Sequence, residues 1–249
     1  MELREHWEYD TIQRSEVKRH LNEYFYYGGL PEILSFKNKR AMLSSLYQKI
    51  YLGDICARNN IKNDRVLNIL IKKMAESVKQ PLSYNRLKNV IVATGSPISV
   101  PTTIDYADYA SDSWLILPME NEVGKLTEKG MQKKYYFVDN GLLNLFLMNS
   151  ETSLLENMVA VELCRRFGKK NVFFLNAEKE IDFIVPDEKL AIQVSYSIRD
   201  ETTYNREVPP LVKYAKAHED WKCLLITYDE EGTEEGIAVV TVWKWLTEV

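Results

Sequence analysis

Through about residue 115 the apolar positions recur at helical spacing. Met42, Leu43, Leu46, Ile50 and Tyr51 predict a helix from Arg40 to about Asp54. Val66, Leu67, Leu70, Ile71, Met74 and Ala75 predict another from Asp64 to Val78, with Asp64 as its N-cap. Before them, Ser15–Glu23 is polar and helix-compatible, and Gly28-Gly29 with Pro31 stops it in a turn. Ser83 caps a short helix over Tyr84–Val92 that ends at Thr94-Gly95-Ser96-Pro97. A second short helix starts near Pro101-Thr102 and carries Ile104, Tyr106 and Tyr109, Pro being tolerated in a first turn. Two short helices around a Gly/Pro turn make a helix-turn-helix pattern. Trp114–Leu117 and Lys133–Val138, joined by a polar loop, then read as the two strands of a winged helix's wing.

After Asp139-Asn140-Gly141 the period changes. A helix is expected over Leu154–Phe167, ended by Gly168. Apolar, β-branched or alternating runs follow at Val172–Leu175, Ile181–Val185, Leu190–Val194, Cys223–Thr227 and Ile237–Val242, with a helical segment at Asn205–His218. The expected fold is α+β in two parts: a helical, winged-helix-like region over residues 1–145, then an α/β domain over residues 146–249.

Composition narrows the classes. With 45% hydrophobic residues in 249, a sizeable core is expected and disorder is excluded. No run of apolar residues spans a membrane, so no membrane partner is expected, and the charged start is no signal peptide. Cys56, Cys164 and Cys223 are odd in number and far apart, which suits a reducing cytoplasm. His6, His20 and His218 are scattered and argue for neither a zinc site nor histidine acid–base chemistry. The net charge of −4 hides a contrast: residues 33–90 carry 12 basic against 3 acidic residues, while residues 151–249 are acidic. Lys37, Lys39, Arg40, Lys62, Arg65, Lys72, Lys73, Arg86 and Lys88 are therefore the candidate nucleic-acid-binding residues. The second short helix carries Asp105, Asp108 and Asp112 and no Lys or Arg, so base reading by it is not expected. Tyr24, Tyr26 and Tyr27 read as helix-packing residues before base-stacking ones.

The candidate chemistry sits in the second part. Strand alternation puts Asp182 on the face opposite Ile181 and Phe183, and Gln193 with Ser195 opposite Ile192 and Val194. An acid inside an apolar strand needs a partner to offset its desolvation. Glu156 in a helix, Asp182 in the next hairpin and Gln193-Val194-Ser195 in the following strand resemble the PD-(D/E)XK nuclease pattern of restriction-endonuclease-like domains. The resemblance implies a catalytic set of Glu156, Asp182 and Gln193, in which Asp182 and Glu156 would hold Mg²⁺. Here Gln193 offers a neutral oxygen, and Ser195 stands at the usual Lys position. Lys189, Arg206 or Lys213 are the candidates to replace that charge, and Arg206 is expected to pair with Asp182 or Glu156.

The order Tyr27-Gly28-Gly29-Leu30-Pro31-Glu32, Tyr51-Leu52-Gly53-Asp54-Ile55 with Arg58, Asp139-Asn140-Gly141-Leu142, Leu155-Glu156-Asn157-Met158-Val159, Glu180-Ile181-Asp182-Phe183 and Ile192-Gln193-Val194 resembles the C-terminal region of a bacterial and archaeal AAA-type P-loop ATPase family. In that family a winged-helix-like segment and a nuclease-like domain follow the ATPase. No G-x-x-x-x-G-K-[ST] occurs, so the chain reads as a C-terminal fragment without the ATPase and no ATP hydrolysis is expected. The resemblance implies a DNA- or partner-binding module of such an ATPase with a degenerate site and no cofactor of its own. Its alternatives are a Mg²⁺-dependent DNA nuclease and a protein-assembly or self-association module.

Overall fold

The computed structural model describes residues 11–123, 132–176 and 180–247. Helices α1 (Thr11–Tyr27), α2 (Pro31–Leu34) and α3 (Lys39–Lys49) open the chain. The helix that apolar spacing extends to Asp54 keeps α geometry only to Lys49, then widens into a π-helix over Ile50–Ala57. Helix α4 (Asp64–Glu76) begins at Asp64, so Asn63 rather than Asp64 is its N-cap. A two-residue strand β1 (Leu82–Ser83), unanticipated in the sequence, precedes α5 (Tyr84–Ala93). Ser83 caps α5 by accepting from the Arg86 amide, and Ser99 caps α6 (Val100–Asp112) by accepting from Thr102.

Strands β2 (Ile116–Glu120) and β3 (Gln132–Phe137) pair antiparallel, and β1 joins β3 to make a sheet of order β1-β3-β2. Trp114, expected in the strand, is instead exposed and has a positive φ of 57° just before it. The middle of the polar loop between the strands lies outside the described residues.

The second sheet has order β4-β5-β6-β7-β9-β8, built from β4 (Phe173–Asn176), β5 (Glu180–Val185), β6 (Leu190–Ser195), β7 (Lys222–Thr227), β8 (Gly232–Glu234) and β9 (Ile237–Thr241). Strands β6, β7 and β9 run parallel, and the others pair antiparallel. Strand β8 was silent in the sequence because its residues are exposed or half-buried and show no apolar alternation. Helix α8 (Glu151–Phe167) packs on one face through Leu155, Val159 and Leu163 against Phe183, Ile192 and Ile226. Helix α9 (Glu201–Ala217) starts four residues before the expected Asn205 and covers the other face through Val208 and Leu211. The mixture, 54% helical and 19% strand, is the α+β class expected. Among the described residues no helix is long and apolar enough to cross a membrane.

Three short motifs, distant in sequence, meet in one buried clamp. Asp139 caps α7 (Asn140–Leu143): its Oδ1 accepts from the Gly141 and Leu142 amides, while Oδ2 accepts from Gly29 at 2.8 Å. Asn140 donates to the Phe25 and Leu154 carbonyls. Asn157, fully buried in α8, accepts from the Phe137 amide at 2.7 Å and donates to the Phe137 carbonyl and to Asn140 Oδ1. Every polar atom so placed has a partner, which burial demands. The clamp holds α1, β3 and α8 in fixed relation. Tyr24 and Tyr26 are half-buried against the same core, as packing residues.

Candidate functional site: a buried lysine among three carboxylates

Strand β3 has two working faces. Tyr135 looks toward Tyr84, whereas Lys134 and Tyr136, two residues apart, face α8 and β5. The small sheet is joined to the large one where Asn121 bridges Phe174 and the Glu122 amide donates to the Phe174 carbonyl at 2.7 Å. This docking carries Lys134 into the second sheet. Its ammonium is fully buried and lies 3.1 Å from Glu156 Oε1, 3.1 Å from Asp182 Oδ1 and 2.9 Å from Glu180 Oε1. Phe174 flanks it, its ring centre 5.8 Å from Nζ. Tyr136 donates its hydroxyl to the same Glu156 oxygen at 2.8 Å.

Sequence reasoning did not single out Lys134. The available signal was slight: a charged residue two positions before Tyr136, on the same strand face, at the start of the aromatic run Tyr135-Tyr136-Phe137. Its sequence neighbour Lys133 pairs across the strands with Glu120, so adjacent lysines serve unrelated ends. The ammonium that meets Glu156 and Asp182 thus comes from the other half of the chain.

The remaining candidates divide. Glu156 and Asp182 do meet, through Lys134. Asp182 Oδ2 also accepts from the Val194 amide at 3.0 Å, which orients the carboxylate. Gln193 does not join them. Its Oε1 accepts from the Asp182 main-chain amide at 3.3 Å, and its Nε2 donates to Glu207 on α9. Glu207 then takes Arg206, at 2.7 Å, so the expected pairing of Arg206 with Asp182 or Glu156 is replaced by one with its own neighbour. Ser195 spends its hydroxyl on the Ser197 carbonyl, and Lys189 pairs with Asp220 at the surface. A register shift between β4 and β5 explains the split. It interrupts strict alternation, so Ile181 and Ile184 pack with α9 while Phe183 packs with α8, correcting the expected shared face of Ile181 and Phe183.

Three carboxylates around one fully buried ammonium leave an excess of negative charge, with Glu156 and Asp182 nearly sealed from water and Glu180 partly exposed. Burial, with Asp182 close by, pushes Glu156 up to about 7 against the pull of Lys134. Burial works against the Lys134 charge, but Glu156, Asp182 and Glu180 outweigh it and hold the ammonium well above its ordinary pKa. Both donors to Glu156 fall on Oε1. Because the folded pKa of Glu156 exceeds its unfolded value, stability from this group is full below about 4.5 and declines as pH rises towards 7. The decline is on the order of 3 kcal/mol at most. Glu156→Gln should flatten that slope in urea unfolding measured from pH 4.5 to 7.5, and an unchanged slope would assign it elsewhere.

As the protein stands, no group of three or more His, Cys, Asp or Glu side chains among the described residues is arranged to hold a metal ion. Lys134 occupies the point that Glu156, Glu180 and Asp182 share.

The candidate nucleic-acid residues lie elsewhere. Lys37, Arg40, Lys62, Arg65, Lys72 and Arg86 are exposed, while Lys39, Lys73 and Lys88 are half-buried. Lys39 pairs with Glu23 and reaches the Ile33 and Leu34 carbonyls, Lys73 pairs with Glu76, and Arg40 donates to the Asn144 carbonyl. Lys62, Arg65, Lys72 and Arg86 make no side-chain ion pair among the described residues.

A family model, the Domain of unknown function (DUF8612), matches residues 18–153, more than half of the chain. The chain belongs to this family. The DUF8612 match takes in the Gly28-Gly29 turn, the three-stranded sheet with Lys134, and Asp139, and it stops just before Glu156. Beyond DUF8612, the chain is 30% identical over 95% of its length to an uncharacterized protein of Methanocaldococcus jannaschii, MJ1544, of which it covers 57%. It is 31% identical over 92% of its length to an uncharacterized protein of Haemophilus influenzae, of which it covers 58%. The chain thus spans a little over half the length of these relatives. No solved structure matches it.

Proposed function

We propose that this chain is a nucleic-acid-binding module of a larger, AAA-type ATPase, with a nuclease-like site that is closed rather than catalytic. The observation that carries the closed site is the fully buried Lys134 ammonium seated between Glu156 and Asp182. A carboxylate pair neutralised in this way is a structural tie between the small sheet and the large one. The order α4, β1, α5, α6, β2, β3 with sheet order β1-β3-β2 supports a winged-helix-like reading. The acidic α6 is an unsuitable reading head, whereas Lys62, Arg65, Lys72 and Arg86, exposed on or beside α4 and α5 and without an ion pair among the described residues, suit phosphate contacts. The ATPase partner rests on the motif order and fits relatives that extend well beyond the matched stretch. Unpaired Cys56, Cys164 and Cys223 suit the cytoplasm.

Duplex DNA followed by fluorescence anisotropy tests the binding. Affinity should fall steeply between about 50 and 200 mM salt, and Arg65→Gln with Lys72→Gln should lower the log–log salt slope by about 2. Salt-insensitive binding, or none at low salt, would remove DNA as the ligand. Light scattering would then show whether the chain self-associates instead.

A second reading is favoured by one detail. Lys134 restores the cation that Ser195 lacks, so acid, acid and lysine stand together as a Mg²⁺-dependent nuclease of the PD-(D/E)XK type requires. Under this reading Glu156 and Asp182 would hold Mg²⁺. Cleavage of linear, branched or single-stranded DNA with Mg²⁺ or Mn²⁺, abolished by Asp182→Ala, would establish it; intact DNA in every case leaves the closed module.

A further inference from the structure

Among the described residues, four α-helices leave through a residue of positive φ. Three use glycine: Gly28 after α1, Gly95 after α5 and Gly168 after α8, at φ of 79°, 81° and 83°. After α6 the residue is Trp114, at φ 57°. It stands in a Schellman motif, in which the Trp114 amide donates to the Ser111 carbonyl at 3.0 Å and the Leu115 amide to the Ala110 carbonyl at 3.1 Å. Glycine is the usual residue at that position, because a Cβ is strained there and a bulky side chain is an outlier. Packing does not offset the strain. Leu115 is the residue that enters the core, fully buried, while Trp114 is 69% exposed.

Lys169 Nζ lies 5.5 Å from the Trp114 ring centre. Lys169 and Lys170 are the exposed central residues of a tight turn, closed by the Asn171 amide on the Gly168 carbonyl at 3.0 Å. Neither lysine makes an ion pair among the described residues. An exposed aromatic plane beside a turn carrying two ammonium groups is the combination that takes an unpaired nucleobase and the phosphates of its strand. A duplex keeps its bases stacked on one another and offers no such face.

We infer that Trp114, with Lys169 and Lys170, forms a stacking site for an unpaired base of single-stranded nucleic acid, apart from the duplex contacts assigned to α4 and α5. The inference rests on the reading of the chain as a nucleic-acid-binding module and adds the strand form that it holds. It gives a use to a strained tryptophan that the fold does not need, since strain of this kind collects at functional positions.

Fluorescence anisotropy of labelled oligo(dT) and oligo(U), each of about 12 nucleotides, tests this beside the same measurement on duplex DNA. Trp114→Gly should weaken single-strand binding by about 5- to 150-fold, the range for losing one stacked base, and leave duplex binding unchanged. Its Tm should hold or rise, because glycine removes the strain. Trp114→Tyr should keep most of the affinity, since any aromatic plane stacks, whereas Trp114→Leu, apolar without a π-face, should lose it as glycine does. Lys169→Gln with Lys170→Gln should lower the log–log salt slope on the single strand by about 1.4. The tighter of the two oligonucleotides identifies the strand as DNA or RNA.

Equal single-strand affinity in the wild type and Trp114→Gly would overturn the proposal, as would a Trp114→Leu protein that binds like the wild type. So would a Tm lowered by Trp114→Gly, which would make the residue a packing one, or a loss of self-association in light scattering, which would make it a protein contact. Duplex binding that persists through any of these failures leaves the module reading intact, whereas no binding to either form removes both.

Discussion

Lys134→Ala is expected to destabilise the protein by about 3–5 kcal/mol, the range for removing one partner of a buried ion pair. The expected loss is large because three acceptors depend on one donor. Without the ammonium, Glu156 and Asp182, both nearly sealed from water, face each other with no charge between them. Desolvation of two carboxylates then acts without compensation. Tyr136 still donates to Glu156, but one neutral hydrogen bond contributes only about 1 kcal/mol. Glu156→Gln in the same chain should return part of the loss, since it removes one buried negative charge and keeps an acceptor for Tyr136. Urea unfolding of the two single variants and the double variant gives the coupling directly. Independent, additive effects would mean that the pair does not act as a unit.

Gly28→Ala should be at least as damaging, with a loss above about 4 kcal/mol or no folded protein. A Cβ on Gly28 would lie 2.0 Å from Asp139 Oδ1, and the residue's φ of +79° strains any L side chain. Neither the backbone nor Asp139 can yield, because Asp139 is held by three amides from two segments. Gly141→Ala meets the same clamp from the other side, its Cβ falling 2.2 Å from the Tyr27 carbonyl. Gly53→Ala is the control. Nothing lies within 4 Å of its Cβ position, so the change should be neutral or stabilise the helix by a few tenths of a kcal/mol. Comparable losses at Gly28 and Gly53 would argue against the clamp.

The clamp changes the meaning of the motifs that carry the family resemblance. Gly28-Gly29, Asp139-Asn140-Gly141 and Asn157 belong to the motifs of that resemblance, and in the structure they join three segments by hydrogen bonds. A buried, fully bonded amide or a glycine under a carboxylate admits few substitutes for packing reasons alone. Lys134, which ties Glu156 to Asp182, lies outside every such motif.

What the sequence determined by itself was local. Period and caps located α4, α5, α6, α8 and α9 and five of the six strands of the large sheet, because amphipathic spacing and side-chain caps act within a few residues. Glu156 and Asp182 were legible for a related reason: an acid in an apolar helix face or strand must have a partner, whatever that partner is. The identity of the partner was not legible. Lys134 is 22 residues from Glu156 and 48 from Asp182, and no periodicity links positions so far apart. The docking of β2 on β4 decided that contact, as the β4–β5 register shift decided that Asp182 would turn to Lys134 while Gln193 meets Glu207. Local patterns state what each residue requires, and only the packed chain selects which distant group meets the requirement.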